Sequence, residues 1–242
     1  HEVQVNLLPT ELPQYQGWEF VARWDPAYEV AGDFYDLQSL NKDTVCTVVA
    51  DVSDKGMAAA LYMAMARTVI RASVVNAATL AEGIDQANQL ICRDSHAGMF
   101  VTLFYGQLNP HTGEYVYVNA GHNPPLHFNA STGKLTALTR SGMALGVEDT
   151  AVYEQHSIRI EKDDFLLLYT DGVTEAFNPL DEAFGVERLE KLLLVHEHPE
   201  ASELVDHIVA EVKRFSERDQ PSDDLTIVVI SRKDAKAAEK AG

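Results

Sequence analysis

The sequence predicts an α+β fold, a layered sandwich of mostly antiparallel sheets with helices grouped in pairs. Three observations carry that expectation. The elements run as strands, two helices, many strands, two helices and a last strand, which is not the βαβα alternation of a doubly wound parallel sheet. Short turns such as Asn41-Lys42-Asp43 and Asn109-Pro110-His111-Thr112-Gly113 link the strands, as antiparallel neighbours require. The 242 residues are 46% hydrophobic, enough to fill a sizeable core. No internal repeat or low-complexity linker divides the chain.

Taken in order, residues 1–16 read as a linker or the tail of an incoming helix, broken by Pro9 and Pro13. The chain begins with His1 rather than Met, so it reads as a piece of something longer. Residues 17–231 form the domain, and 232–242, charged and Ala/Lys-rich, form a tail expected to be disordered. Gly17–Trp24, Asp33–Leu40 and Thr44–Asp51 are rich in aromatic and β-branched residues and read as a three-strand meander. Met57–Val75 is a helix, apolar on nearly every face and therefore expected to be sandwiched. Its Arg67 and Arg71 read as a solvated edge. Thr79 with Glu82 fits a capping box opening a second helix to residue 94, whose stripe is Leu80, Ile84, Ala87, Leu90 and Ile91. Strands follow at Met99–Leu108, Glu114–Asn119, Pro125–Phe128, Leu135–Leu138, Val152–Ile160 and Phe165–Thr170. Helices at Val186–Val195 and Ser202–Phe215 precede a closing strand at Leu225–Ile230.

Charge narrows the function. Lys+Arg number 19 against 37 Asp+Glu, a formal net charge of −18. Nucleic acid and anionic membrane surfaces both need the opposite sign. Cys46 and Cys92 show neither CxxC spacing nor a disulfide framework, so a reduced, cytoplasmic setting is expected. No apolar stretch is read as reaching the roughly 18 residues that span a bilayer.

The chemistry lies at strand ends. Asp33 opens one strand within Ala31-Gly32-Asp33-Phe34-Tyr35-Asp36, Asp51 ends the next, Asp171 ends Phe165–Thr170, and Asp223 and Asp224 precede the last. Any one of them could be a turn or cap residue. As a set they mean something else. Two carboxylates about 4 Å apart repel by roughly 4 kcal/mol at an effective dielectric near 20, so a cluster needs counter-charge. All-oxygen ligation selects hard cations, Mg²⁺ or Mn²⁺, and a pair of them suits hydrolysis of a phosphate ester. His196 and His198 read as a solvated pair rather than ligands, and Ser53 as a turn residue. His122, in Asn119-Ala120-Gly121-His122-Asn123-Pro124-Pro125, is either a general acid or a turn-stabilising residue. No GxSxG, GxGxxG or GxxxxGK[ST] pattern offers another chemistry.

These residues carry a family resemblance. LLPTELPQYQGWEFVARWDPAYEVAGDFYD (7–36), VVADVSDKGMAAALYMA (48–64), MFVTLFYGQL (99–108), VNAGHNPPL (118–126), LLLYTDGVTEAFN (167–178), FGVERL (184–189) and DDLTIVVI (223–230) resemble, in order and over nearly the full length, the bacterial PPM-type serine/threonine protein phosphatases. The branch is the SpoIIE/RsbU one, the regulators of sigma-factor partner switching. The resemblance implies an αββα sandwich, two mostly antiparallel sheets flanked by helix pairs. It implies two divalent cations, Mn²⁺ or Mg²⁺, one on Asp33 and Asp51 with the carbonyl of Val52. Asp51 would bridge to the other, completed by Asp171 and Asp223, with Asp224 the alternative to Asp223. Asp36 would be an outer-shell or third-ion residue. A bridging hydroxide would attack phosphorus.

Three positions depart from the pattern without removing a ligand. Val52 stands where eukaryotic relatives have Gly, Asp54 where many bacterial members have Gly, and Ala31 replaces the first Gly of a common GGD. No equivalent of the eukaryotic phosphate-binding arginine is evident, and Arg23 is the candidate. The resemblance further implies a phosphorylated anti-sigma-factor antagonist as substrate, an upstream sensor domain or regulator, and room for a homodimer. The two helices of residues 57–94 would carry the upstream signal, with Leu61 and Met65 at the packing that transmits it. The alternative is a catalytically inactive member kept as a binding module.

Overall fold

The computed structural model describes residues 2–94, 98–195, 200–218 and 220–233. Its elements are α1 (Glu2–Val5), β1 (Trp18–Asp25), β2 (Phe34–Asn41), β3 (Thr44–Val52), α2 (Met57–Asn76), α3 (Leu80–Asp94), β4 (Val101–Leu108), β5 (Glu114–Ala120), β6 (Leu126–Asn129), β7 (Lys134–Ala137), β8 (His156–Arg159), β9 (Phe165–Tyr169), α4 (Asp171–Thr174), α5 (Gly185–Val195), α6 (Ala201–Ser216) and β10 (Leu225–Arg232).

Two five-stranded sheets form, ordered β1-β10-β9-β6-β7 and β2-β3-β4-β5-β8, with every pairing antiparallel. The αββα sandwich is therefore present. One expectation fails. β1 does not join β2 and β3 in a meander but crosses to the other sheet and pairs with β10 over its whole length. The reason is that the chain's last strand, which no local pattern could place, offers β1 a full-length apolar partner. Residues 26–33 thus become the crossing between sheets.

Period-2 alternation explains why the strands read as unbroken apolar runs: both faces are buried. In β3, Cys46, Val48, Ala50 and Val52 pack with α2 and α3, while Val45 and Val49 face the other sheet. In β9 and β10, Phe165, Leu167, Tyr169, Ile227 and Val229 pack under the α4–α6 layer, while Leu166, Leu168, Val228 and Ile230 face inward between sheets. Three cores result, one per interface between layers.

Helix α2 differs from its reading in two ways. By length (20 residues) and composition (mean hydropathy 1.3 in its best 18-residue window) it does meet the measure of a membrane span, yet 44% of that window is buried inside the protein. Nor is it sandwiched. Ala59, Met63, Ala66 and Ile70 face the core, while Leu61 is 67% exposed. Leu61 therefore lies on the outer face of α2 rather than in its core packing. Strand β8 begins at His156, so the predicted run from Val152 is half loop. The capping box closes from Thr79 Oγ1 to the Glu82 N–H, with Glu82 reaching back to Ala78. Near the N-terminus, Gln4 exchanges two hydrogen bonds with the Ala31 backbone, and Leu8 enters the α2–α3 core. The tail expected over 232–242 starts too early, since Arg232 ends β10 in register with Trp18; the rest of it from 234, and the His196/His198 pair, lie outside the described residues.

Candidate metal centre

The strand registers bring the acids together. Phe34 pairs with Ala50, so the next position outward sets Asp33 opposite Asp51. Asp33 shares the parity of Leu37, and Asp51 that of Val45 and Val49, so both point between the sheets. On the facing sheet Tyr169 pairs with Ile227, and beyond it the two chains diverge into Asp171 and Asp223. Asp171 opens α4, a single helical turn that the sequence reading missed; Thr170 stands at its N-cap position without a side-chain capping bond.

Gly172 allows the close approach. A Cβ there would lie 2.0 Å from the carbonyl oxygen of Asp224, so only glycine lets the first turn of α4 rest on the Asp223-Asp224 backbone. The Cβ of a residue at Gly32 would likewise stand 3.0 Å from the Val52 carbonyl oxygen. Both glycines permit close backbone–backbone packing beside the acids.

Electrostatics shows what the arrangement lacks. Asp33 is 2% exposed, and its Oδ2 accepts a hydrogen bond from Thr226 Oγ1 at 2.9 Å. Burial first, then the charge of Asp51, hold its carboxyl well above the usual range, against the hydroxyls of Thr170 and Thr226. Burial, then Asp171, push Asp51 up to about 7, with Asp223 and Asp224 adding and a hydrogen bond to Asp33 opposing. Burial, then Asp223 and Glu175, push Asp171 up to about 6, and Lys55 opposes. These are acids short of positive charge. Among the described residues no three His, Cys, Asp or Glu side chains converge into a ready-made ion cage. Like-charge repulsion and the Lys55–Asp223 ion pair, at 2.8 Å, both act against closure. The donor set nonetheless suits hard cations, because every side chain in it is a carboxylate.

The Asp223-Asp224 doublet divides its work. Asp224 Oδ1 accepts the Ala27 N–H and Oδ2 the Gly32 N–H, each at 2.8 Å. Its carboxylate fixes the crossing that delivers Asp33. Asp223 instead faces Lys55, and its charge acts on Asp51 and Asp171.

Three expectations change. Asp36 is not with these acids. It lies an odd number of residues from Asp33, so its side chain leaves the opposite face of β2, toward α2. There Arg71 binds it through two hydrogen bonds, the one from Nη2 at 2.7 Å, and Arg67 Nη2 stands 3.6 Å away. Arg67 and Arg71 are consequently not a solvated edge. Arg23 is committed to Asp25, its Nε within 2.9 and 3.0 Å of the two oxygens.

Neighbouring residues complete the picture. Ser53 joins the ends of β3 and β4, its N–H and Oγ each bonded to the Phe100 backbone. His122 is 2% exposed, and burial pushes its imidazole down to about 3, so it is neutral. Its backbone N–H donates to Asn119 Oδ1, and its ring Nδ1 lies 2.9 Å from Oγ1 of Thr102, the residue paired with Asp51. That makes it a packed partner of the β3–β4 floor. Sequence reasoning missed Lys55 and Glu175; the only signal for Lys55 was its place four residues after Asp51.

The profile of the family Stage II sporulation protein E (SpoIIE) matches residues 41–233, well over half of the chain. The chain belongs to the SpoIIE family. That match takes in Asp51, Asp171 and Asp223 but begins after Asp33. The chain is 30% identical over 233 residues to the phosphoserine phosphatase RsbU of Bacillus subtilis, covering 96% of this chain and 68% of RsbU. It is 31% identical over 258 residues to protein IcfG of Synechocystis, spanning 40% of that longer protein. The RsbU and RsbW domains of Rv1364c from Mycobacterium tuberculosis superpose with a TM-score of 0.76 at 24% identity, over 92% of this chain and 62% of that one. The catalytic domain of the serine/threonine phosphatase PstP, solved with two manganese ions, has the same fold, with a TM-score of 0.66 at 16% identity over 90% of this chain and 99% of its own. The chain is thus a SpoIIE-family domain with the fold of the PPM-type phosphatases.

Proposed function

We propose that this SpoIIE-family domain hydrolyses phosphoserine or phosphothreonine on a protein, using two divalent cations, Mn²⁺ or Mg²⁺. The observation that carries the reading is that Asp33, Asp51, Asp171 and Asp223 face one another from two sheets, near enough that burial and neighbouring carboxylates push the carboxyls of Asp33, Asp51 and Asp171 up. Asp33, Asp51 and the Val52 carbonyl would hold one ion, and Asp51, Asp171 and Asp223 the other. Bound cations supply an activated water and neutralise charge on the phosphoryl oxygens. The chain's own residues do the positioning. The Thr226 hydroxyl orients Asp33, Asp224 anchors the crossing, and α4 presents Asp171 from the first position of a helical turn.

Kinship with RsbU supports an anti-sigma-factor antagonist as substrate, a cytoplasmic setting, and control by an upstream module joined through residues 1–16. Asp224 is read as a support for the crossing rather than a ligand, since its oxygens are taken by backbone N–H groups. The test uses p-nitrophenyl phosphate and a phosphoserine peptide, with wild type and Asp171→Asn assayed with and without Mn²⁺. Wild-type turnover that requires Mn²⁺ and falls at least about 100-fold in the variant is expected, equivalent to about 2.7 kcal/mol. Metal-independent turnover, or none in wild type, refutes the reading.

A further inference from the structure

The proposed reaction leaves one need unmet, a protein cation for the substrate's phosphate. Arg23 is bound to Asp25, and Arg67 and Arg71 to Asp36. The cation that does touch the acid cluster is Lys55, whose Nζ lies 2.8 Å from Asp223 Oδ2.

The local backbone is built to put it there. Lys55 sits between Asp54, at φ +80°, and Gly56, at φ +78°, so a positive φ on each side of it turns the chain after β3. Asp54 Oδ1 accepts the Lys55 N–H at 2.9 Å and steadies the turn. The side chain remains 51% exposed. It is therefore tethered at its backbone and free along its four-carbon stem.

Resting on the two-cation reading above, we infer that Lys55 changes partner. Without metal it neutralises Asp223, and it must leave that carboxylate before Asp223 can ligate. Once released, its ammonium stands beside the centre, where a phosphate monoester is the anion that arrives. Lys55 would thus both weaken ion binding in the phosphate-free protein and strengthen phosphate binding in the loaded one. The two ligands then bind cooperatively, and reciprocally so. A lysine suits this exchange, being a flexible point charge rather than a fixed fork.

The experiment compares wild type with Lys55→Met, which keeps the length of the side chain and removes its charge, and with Lys55→Arg. Calorimetric titration of the metal-free proteins with Mn²⁺ comes first. Wild-type binding of Mn²⁺ tests the underlying reading by itself, because absence of binding would end that reading before Lys55 is at issue. For Lys55→Met we expect Mn²⁺ affinity to rise about two- to fivefold, the size of a partly exposed ion pair. Inorganic phosphate, titrated into the Mn²⁺-loaded proteins, should bind about tenfold more weakly to Lys55→Met, as loss of one charge-assisted hydrogen bond implies, and near wild-type strength to Lys55→Arg. Matching thermal melts establish that the variants fold. The inference is overturned if Lys55→Met leaves either the Mn²⁺ or the phosphate constant unchanged.

Discussion

Asp33 and Asp36 stand three residues apart, and both are almost wholly buried, at 2% and 1% exposure. Their surroundings are opposite. Asp36 meets two arginines of α2. Asp33 meets the hydroxyls of Thr170 and Thr226 and the carboxylate of Asp51. Desolvating a charge costs several kcal/mol in either place. At Asp36 the protein supplies the compensation itself and the site is closed. At Asp33 hydroxyls compensate only in part and the site stays open to a cation from outside. Burial is common to both acids; what sets Asp33 apart is burial without an arginine beside it.

The hardest test of the contrast is deletion of the closed pair. Asp36→Ala strands Arg67 and Arg71, so urea unfolding should show a loss of about 3–5 kcal/mol. Asp36→Leu with Arg71→Met should restore much of it, whereas no rescue would mean that the ion pair is not what the residue provides.

Next is the packing that joins the two sides of the open cluster. In Gly172→Ala the new methyl must displace the Asp224 carbonyl, costing about 1–3 kcal/mol as overpacking. Mn²⁺ affinity should fall with it, because Asp171 and Asp223 are moved apart.

A third test is the reverse of the first. Removing an uncompensated acid, Asp51→Asn, should leave the metal-free protein as stable as wild type or more so. The stabilisation of about 1.4 kcal/mol that Mn²⁺ gives at ten times its dissociation constant should vanish. A loss of metal-free stability resembling that of Asp36→Ala would erase the distinction. The same acids set a pH dependence. Asp51 titrates near 3.9 in an unfolded chain and near 7 when folded, so the folded form holds its proton more tightly. Its contribution is complete below about pH 4 and is lost as pH rises through about 7. Metal-free melting temperature should decline over that window, and less steeply in Asp51→Asn.

The smallest effect is expected at Asp54, whose φ of +80° suits glycine. Asp54→Gly should be within about 1 kcal/mol of wild type, its gain offset by loss of the bond to the Lys55 N–H.

Much of this was legible beforehand. Each strand-end acid joins an apolar run, and strand, turn and helix signals are local. Even the division between Asp33 and Asp36 was available in principle, since an odd separation along a strand sends two side chains to opposite faces. The family resemblance instead implied an outer-shell or third-ion place for Asp36. Arg67 and Arg71 looked solvated because a helix pattern reports which residues share a face, not what that face meets.

What the sequence by itself determined is the repertoire: antiparallel strands with both faces apolar, paired helices, and carboxylates at the tips. Those features depend on neighbours within a few residues, where period and turn chemistry act. Tertiary structure alone decided which sheet β1 joins, that Asp224 anchors Ala27, and that Lys55 lies on Asp223. The first two link residues about 200 positions apart, and the third joins turns from opposite sheets. Which groups meet at the seam is set by how two sheets stack, a long-range free energy that no local pattern encodes.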